Sequence, residues 1–162
     1  ILMTKYFHYT TQDHIRSIRD SGVIKTTESN VSMEEDHAGP DVVWLFDKTL
    51  KVVPKMLYTK LYSQDNFLGW FPKCHVELEI NLDKNEVLRA DKFLKKHKAN
   101  ALWIQKLEKA GGIKFHTQYV ITRAIKVEEI FNARYREDLL KQRKHSFRDS
   151  AGNPVSSPRK RI

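Results

Sequence analysis

Hydrophobic residues along the chain alternate between strand-like and helix-like spacing. Residues 5–9 are short, apolar and aromatic, which is typical of a strand. Residues 42–46 form a continuous apolar run typical of a buried central strand. Apolar residues occupy every second position of 74–82, which predicts a strand with one buried face. Further strands are predicted over 118–122 and 124–131.

Helical patterns separate these strands. The segment 12–21 follows Thr10 and Thr11, either of which can cap a helix, and it ends at Gly22, a residue typical of helix C-termini. Other helices are predicted over 91–98 and 100–110, with a short amphipathic one over 50–62 and a charged one over 135–144.

The order of these elements predicts an α+β protein with a mixed or antiparallel sheet flanked by short helices. The length of 162 residues suits a single domain, which we expect to occupy 1–145. The polar loop 25–41 is longer than a simple connection needs, and such loops are usually functional or mobile. Residues 146–162 contain Gly, Pro and Ser with little to bury, so a flexible basic tail is expected there.

The charge of the chain is positive and unevenly distributed. The net charge is +9, and residues 133–162 hold nine basic and three acidic residues. A field of this sign favours phosphate-rich partners, so nucleic acid, either DNA or RNA, is the expected partner. The tail is interpreted either as a solvated terminus that aids solubility or as a segment that contacts nucleic acid.

Cysteine content and hydropathy exclude other classes of protein. The single cysteine, Cys74, rules out an internal disulfide framework and a multi-cysteine metal site. The sequence has no apolar run of about 18 residues and no signal peptide, so no membrane partner is expected and the predicted location is the cytoplasm.

Three segments carry candidate chemistry. His8 and Thr10 project from the same side of a strand end, beside a helix N-terminus, where they suit a sugar hydroxyl or a phosphate. Tyr58 and Tyr62 either stack on a flat ring or pack in the core. In the late strand 118–122, Gln118 and Thr122 are expected on one face of the sheet, and Tyr119 and Ile121 on the other.

Taken in order, these segments resemble the ADP-ribosyltransferase superfamily of the diphtheria-toxin and poly(ADP-ribose) polymerase type. That family has a strand with His-x-Thr or His-x-Ser, a helix ending in Gly, an apolar strand followed by Tyr, and a late strand close to Glu-Tyr-Val-Ile. The matching places in this chain are His8-Tyr9-Thr10, Gly22-Val23-Ile24, 42–46, Tyr58 and Gln118-Tyr119-Val120-Ile121. Residues 27–30 and 39–45 also resemble a group of uncharacterised phage and bacterial proteins.

The resemblance implies split sheets around a cleft that holds NAD, with no metal. His8 would bond the adenine-ribose hydroxyl, the backbone of Tyr9 would hold the nicotinamide carboxamide, and Thr10 belongs to the same motif. Tyr58 or Tyr62 would stack on the nicotinamide ring. The implied activity moves ADP-ribose from NAD to a macromolecule, with nucleic acid preferred over a protein acceptor because of the charge. The implied setting is a toxin or a phage–host conflict factor.

Gln118 departs from the family pattern, which has Glu at this position. A carboxylate stabilises the developing oxocarbenium ion, whereas a neutral amide holds a ribose hydroxyl without offsetting a full positive charge. Three explanations stay open: Gln118 is an inactivating change, the catalytic acid is Glu28 in the long loop, or the domain binds a nucleotide without transferring anything.

Other functions fit the sequence less well. His8-x-Thr10 matches half of a two-histidine phosphodiesterase, but the second His-x-Thr copy is missing. His37, His75 and His116 lack the spacing of metal ligands. The main alternative is a non-catalytic, basic nucleic-acid-binding protein, based on the tail and on a lysine cluster with nearby aromatic residues: Lys92, Lys95, Lys96, Lys98, Phe93 and Trp103.

Overall fold

The computed structural model describes residues 2–27, 39–144, 147–148 and 154–155, and its main element is a six-stranded sheet. The strands of this sheet are β1 (Met3–Thr10), β3 (Val43–Phe46), β6 (Val76–Asp83), β7 (Leu88–Arg89), β8 (Gln118–Ile121) and β10 (Ile130–Tyr135). Their order is β10-β6-β1-β3-β8-β7, and all neighbouring strands are antiparallel. The fold class is therefore α+β with a mainly antiparallel sheet, as predicted.

Smaller elements surround this sheet. Three two-stranded pairs join β2 (Val23–Ile24) to β9 (Ile125–Lys126), β4 (Tyr58–Ser63) to β5 (Asn66–Pro72), and β11 (Phe147–Arg148) to β12 (Pro154–Val155). The helices are α1 (Gln12–Ser21), α2 (Ala90–Lys96), α3 (Ala101–Gly111) and α4 (Glu137–Leu140). Single 3₁₀ turns occupy Lys55–Leu57, Lys84–Glu86, Phe115–Thr117 and Val127–Glu129.

The helix α1 begins and ends where its capping residues predict. The hydroxyl of Thr11 accepts a hydrogen bond from the backbone N–H of His14, which satisfies one of the free amides of the first turn. Gly22 follows the helix with φ of 75°, and its N–H donates to the carbonyl of Ile18. The left-handed conformation favours glycine, so the sequence itself stops the helix.

The strand β1 lies in the middle of the sheet, although it comes first in the chain. It pairs with β6 along its whole length, from Met3 opposite Asp83 to Thr10 opposite Val76. Its pairing with β3 is reduced to one position, Phe7 opposite Phe46. The two strands therefore part on the side of Thr10, and we call this gap the β1–β3 split.

Both faces of the sheet are covered. On one face, Leu45, Leu78 and Ile80 are almost fully buried, and Ile15 and Ile18 of α1 pack against this cluster. The other face is covered by two clusters, one built around the hairpin β4–β5 and one around α2. Because the sheet is buried on both sides, the continuous apolar run of β3 is explained by its central place.

Three predicted elements differ from the structure. Residues 50–62 do not form an amphipathic helix, because only Lys55–Leu57 turn and the chain then enters the strand β4. The predicted strand 124–131 is divided into β9 and β10 by a 3₁₀ turn. The charged helix predicted over 135–144 is limited to the single turn of α4. The remaining strands and helices lie within a few residues of their predicted bounds.

A buried ionic network connects the sheet to the C-terminal part of the domain. Glu77 on β6 and Arg136 after β10 are each 5% exposed, and Arg136 Nη1 donates to Glu77 Oε2. Tyr9 Oη donates to the same carboxylate oxygen over 2.8 Å, and the backbone N–H of Leu50 donates to Tyr9 Oη over 2.7 Å. Arg136 also holds Asp138 through two hydrogen bonds of 2.9 and 2.8 Å and donates to the Leu50 carbonyl.

The predicted tail lies mostly outside the described residues. Of residues 146–162, only β11 and β12 are described, and they pair with each other. The boundary between 1–145 and the tail therefore stays a prediction.

We expect removal of Arg136 to destabilise the fold strongly. In Arg136→Met, the carboxylate of Glu77 stays buried and keeps only the more distant cation of Arg134, 3.5 Å away, so the variant loses up to about 3–5 kcal/mol of unfolding free energy. Urea denaturation measures this loss, and the double variant Glu77→Gln/Arg136→Met should recover much of it. Lys141→Met, which breaks the exposed pair with Glu137, is the control and should cost about 1 kcal/mol or less. A loss in Arg136→Met no larger than this control contradicts the role of the network.

Candidate functional site

His8 lies at the β1–β3 split and bridges it. Its Nδ1 is 2.8 Å from the backbone carbonyl oxygen of Trp44 on β3. Because a carbonyl only accepts, Nδ1 carries the proton, and in the neutral ring Nε2 is left as an acceptor. An acceptor at this position suits a ligand hydroxyl that donates.

The surroundings of His8 keep its ring neutral. Burial lowers the pKa of His8 below its usual 6.5, an effect that outweighs the opposing hydrogen bond to the Trp44 carbonyl. The exposed ring of His14 on α1 lowers the pKa of His8 further. The tautomer fixed by Trp44 is therefore the form present near neutral pH.

Four further polar side chains belong to the same face of the sheet. Phe7 pairs with Phe46, so the next residue of β1, His8, lies opposite Leu45 of β3. Leu45 pairs with Tyr119 of β8, and Tyr119 pairs with Arg89 of β7. Residues directly opposite in a sheet project to one face. The members of this group, which we call the His8 face, are Tyr6, His8, Asp47, Arg89 and Tyr119.

Direct contacts connect three members of the His8 face, which are Tyr6, Tyr119 and Asp47. The rings of Tyr6 and Tyr119 have centroids 5.7 Å apart, and Tyr119 Oη donates to Asp47 Oδ2 over 3.2 Å. Burial and the carboxylate of Asp47 raise the pKa of Tyr119. Arg89 donates two hydrogen bonds of 2.6 and 2.9 Å to Asp91, and its side chain stays 41% exposed.

This set can bind a nucleotide. An imidazole nitrogen and a carboxylate accept from ribose hydroxyls, the half-buried ring of Tyr119 offers an aromatic face to a base, and a guanidinium matches a diphosphate. Tyr6, by contrast, is 3% exposed and only supports the ring of Tyr119. The sequence reasoning identified His8 but missed Tyr6, Asp47, Arg89 and Tyr119. Tyr6 lies two positions before His8, so strand periodicity alone could have found it. Asp47, Arg89 and Tyr119 require the register of β3, β7 and β8.

Thr10 and Tyr9 continue the predicted motif in different directions. Thr10 is 6% exposed, ends β1 opposite Val76, and shares the side of His8 by alternation. The side chain of Tyr9 points to the other face, where it donates to Glu77, and burial raises its pKa. Along this stretch the β1 backbone keeps its ladder only with β6, so it borders the split.

Gln118 lies on the opposite face from His8. It begins β8 opposite Phe46, in the row that also contains Phe7, at the closed end of the split. The side chain is 1% exposed, and its Nε2 has no hydrogen-bond partner in the described part of the chain. An unpaired buried amide is costly, which makes Gln118 an unusual core residue.

The predicted tyrosines are also separate from His8. Tyr58 is 3% exposed and donates to the Gln142 carbonyl over 2.7 Å, and burial raises its pKa. Tyr62 is 55% exposed on the hairpin β4–β5. The structure thus brings His8 and Thr10 together, whereas Gln118, Tyr58 and the Tyr9 ring belong to the other face.

Glu28 and Arg123 are two further residues whose side chains would suit the reaction. Glu28, the alternative catalytic acid, lies outside the described residues; Thr27, which precedes it in the sequence, bridges to Val42 just before β3. Arg123, beside the late strand, has a guanidinium that would suit a phosphate, but it already pairs with Glu86 and Glu129 at 2.6 and 2.7 Å.

The residues of the alternative nucleic-acid patch on α2 do not all reach the surface. Lys92, Lys95 and Lys96 are exposed, but Phe93 is fully buried in the core. Phe93 therefore cannot stack on a base.

Comparisons with known proteins add no family to this description. No family model matches the chain, and no curated protein and no solved structure matches it. Within the described ranges, no group of three or more His, Cys, Asp or Glu residues is placed to hold a metal ion. No helix among the described residues has both the length and the apolar character needed to span a bilayer.

The neutral state of His8 predicts a pH effect on stability. The pKa of His8 is lowered on folding, so below about pH 6.5 the unfolded chain binds a proton that the folded chain does not. Stability is therefore full above that pH and falls as the pH drops through it. In His8→Asn, the amide keeps a donor for the Trp44 carbonyl but does not titrate. Melting temperatures at about pH 7.5 and about pH 5 should differ less in this variant than in the parent. Equal differences would show that His8 titrates as it does in the unfolded chain.

Proposed function

We propose that the chain binds NAD on the His8 face and transfers ADP-ribose to a macromolecule, with nucleic acid as the preferred acceptor. The observation that carries this proposal is the row of His8, Tyr119 and Arg89 beside the β1–β3 split. It combines an acceptor for a ribose hydroxyl, an aromatic ring and a half-exposed cation, which are the groups that a dinucleotide needs.

The order of strands supports the same function. The segments that resemble ADP-ribosyltransferases are β1, β3 and β8, and these three strands are direct neighbours in the sheet. They are distant in the sequence, so their proximity is a property of the fold rather than of the motif. The split between β1 and β3 is the kind of gap that the resemblance implies for the NAD cleft.

The transfer step depends on a carboxylate that stabilises positive charge on the nicotinamide ribose. Gln118 has the family position but is neutral and lies on the other face from His8. Asp47 is a carboxylate on the His8 face, and Glu28 follows Thr27, which bridges to the start of the β3 segment. These three positions are the ones to test for the catalytic role.

Binding of NAD should depend on His8 and Arg89. We expect His8→Asn to weaken binding by up to about tenfold, because it removes one hydrogen-bond acceptor. Arg89→Met should weaken it by about tenfold to a hundredfold, because a charge-assisted bond to the diphosphate is lost. Calorimetric titration with NAD measures both changes. His116→Ala and Arg123→Met are matched controls outside the His8 face, and losses of the same size in these controls would overturn the assignment of the site.

Label transfer tests the reaction itself. Tagged NAD is incubated with separate pools of DNA, RNA and protein, using the parent chain and Gln118→Glu. Because the Gln118 amide nitrogen has no partner among the described residues, the added carboxylate removes no hydrogen bond there. We expect label in nucleic acid, and no more of it with Gln118→Glu, because that carboxylate lies on the face opposite to His8. Gln105→Glu adds the same charge on the exposed surface of α3 and should change nothing.

Each result of this assay has a separate meaning. Label that requires Gln118→Glu identifies a transferase disabled at that position. Label with the parent chain directs attention to Asp47→Asn and Glu28→Ala, one of which should abolish it. Binding of NAD without label from any form leaves a nucleotide-binding domain, and absence of both binding and label rejects the proposed function.

A further inference from the structure

The hairpin β4–β5 stands outside the six-stranded sheet and carries unusual surface residues. Its outer half is exposed, including Leu61, Tyr62, Phe67 and Leu68 at 41, 55, 45 and 47%. Large apolar side chains that cluster on one exposed element often mark a binding surface. The hairpin is therefore a candidate for a contact that the His8 face does not explain.

Three rings form a continuous line on this hairpin. Tyr62 and Phe67 have centroids 5.7 Å apart, and Phe67 and Trp70 are 5.8 Å apart in an edge-to-face arrangement. A register shift between Leu61 and Tyr62 makes Phe67 and Trp70 neighbours although they are three residues apart in the sequence. We call Tyr62, Phe67 and Trp70 the aromatic ladder.

The inner end of the aromatic ladder is fixed, and the outer end is open. Trp70 is 4% exposed within a core cluster, and its backbone pairs with that of Lys144 through hydrogen bonds of 2.6 and 2.9 Å. Phe67 and Tyr62 extend from this base toward solvent. Rings held by a rigid base lose little freedom on stacking, which favours binding.

One cation lies against the aromatic ladder, and two others lie against the neighbouring rings of Phe71 and Tyr58. Lys60 Nζ lies 5.3 Å from the centroid of Trp70, and the guanidinium carbon of Arg143 lies 5.9 Å from that of Phe71. Lys144 Nζ lies 5.8 Å from the ring of Tyr58. Between residues 58 and 72, all of which are described, Asp65 in the turn is the only carboxylate. The surface is thus aromatic and positively charged.

We propose that the aromatic ladder binds single-stranded nucleic acid. Exposed rings stack on unpaired bases, while Lys60 and Arg143 attract the phosphates on either side. A duplex hides the base faces, so it offers these rings nothing to stack on. A purely apolar protein surface would offer no negative charge to Lys60 beside the ladder, which favours nucleic acid as the occupant.

This surface deepens the proposed function, because it identifies where a nucleic-acid acceptor is held, and it depends on that function only for the transfer step. Binding is measured without NAD, so the two proposals fail separately. Loss of NAD chemistry leaves the aromatic ladder as a binding surface, and loss of nucleic-acid binding leaves NAD binding on the His8 face unchanged.

The test is fluorescence anisotropy with labelled oligo(dT) and oligo(U) of about twelve nucleotides and a duplex of equal length. We expect both single strands to bind more tightly than the duplex, with an affinity that falls steeply with salt. Tyr62→Leu/Phe67→Leu keeps apolar bulk but removes both rings, and it should weaken binding about tenfold or more. Tyr62→Phe keeps the ring and should bind like the parent.

Matched controls separate stacking from general charge and from unfolding. Phe131→Leu removes a ring that is 71% exposed on β10, and it should not change binding. Lys92→Gln/Lys95→Gln removes two charges from α2 and should weaken binding less than Lys60→Gln/Arg143→Gln. Melting curves check that every variant is folded, and the single variant Tyr62→Leu replaces the double variant if that one is not.

Three outcomes would overturn the proposal. Equal affinity of the parent and the leucine variants would exclude stacking. A duplex that binds as tightly as the single strands would indicate phosphate attraction alone. No binding of any oligonucleotide at low salt would reject nucleic acid as the occupant of the hairpin surface.

Discussion

The buried charge of Glu77 is the constraint on which much of the structure depends. A carboxylate at 5% exposure is tolerated only when it is paired and hydrogen-bonded: Arg136 and Tyr9 donate to Glu77 Oε2, and Arg134 lies 3.5 Å from Oε1. Through this one group, β1, β6 and the chain after β10 are held in a single register. The same contacts fix Leu50, and with it the segment that leads from β3 to the hairpin. The positions of the β1–β3 split and of the aromatic ladder therefore share one anchor.

Local patterns in the sequence predicted the elements whose determinants are local. The cap at Thr11, the stop at Gly22 and the alternation along β6 all act within a few residues, and α1, β1 and β6 lie where expected. The helix predicted over 50–62 was wrong, and it was predicted because the spacing of the apolar residues there is compatible with a helix. What makes part of it a strand is pairing with β5, whose backbone in turn pairs with Lys144. The strand β5 follows the two-residue turn at Gln64 and Asp65, beyond the segment 50–62, so the apolar spacing within that segment could not indicate the pairing.

The candidate site shows the same difference between local and non-local determinants. Period-two alternation was enough to put His8 and Thr10 on one side of β1. For the late strand, alternation divides the residues between two faces without indicating which face belongs to the site, and the register against β3 decides this. It turns Tyr119 toward the His8 face and Gln118 away from it. Arg89 enters the site only because the two-residue strand β7 closes the edge beside β8. Residues contributed by such short edge strands have almost no signature in the sequence.

The central place of β1 has a consequence for synthesis of the protein. Tyr9 and its partner Glu77 are 68 residues apart, and Arg136 follows Glu77 by 59 more. At about five to twenty residues per second, the first strand waits several seconds for β6, with its aromatic side chains unburied. Even then, the carboxylate of Glu77 in the β1–β6 pair lacks the cation of Arg136. Burial of this carboxylate is unfavourable until Arg136 has been synthesised. The sheet is therefore completed only late in synthesis. A chain that stalls before Arg136 exposes an incomplete sheet with unburied apolar side chains to chaperones and proteases.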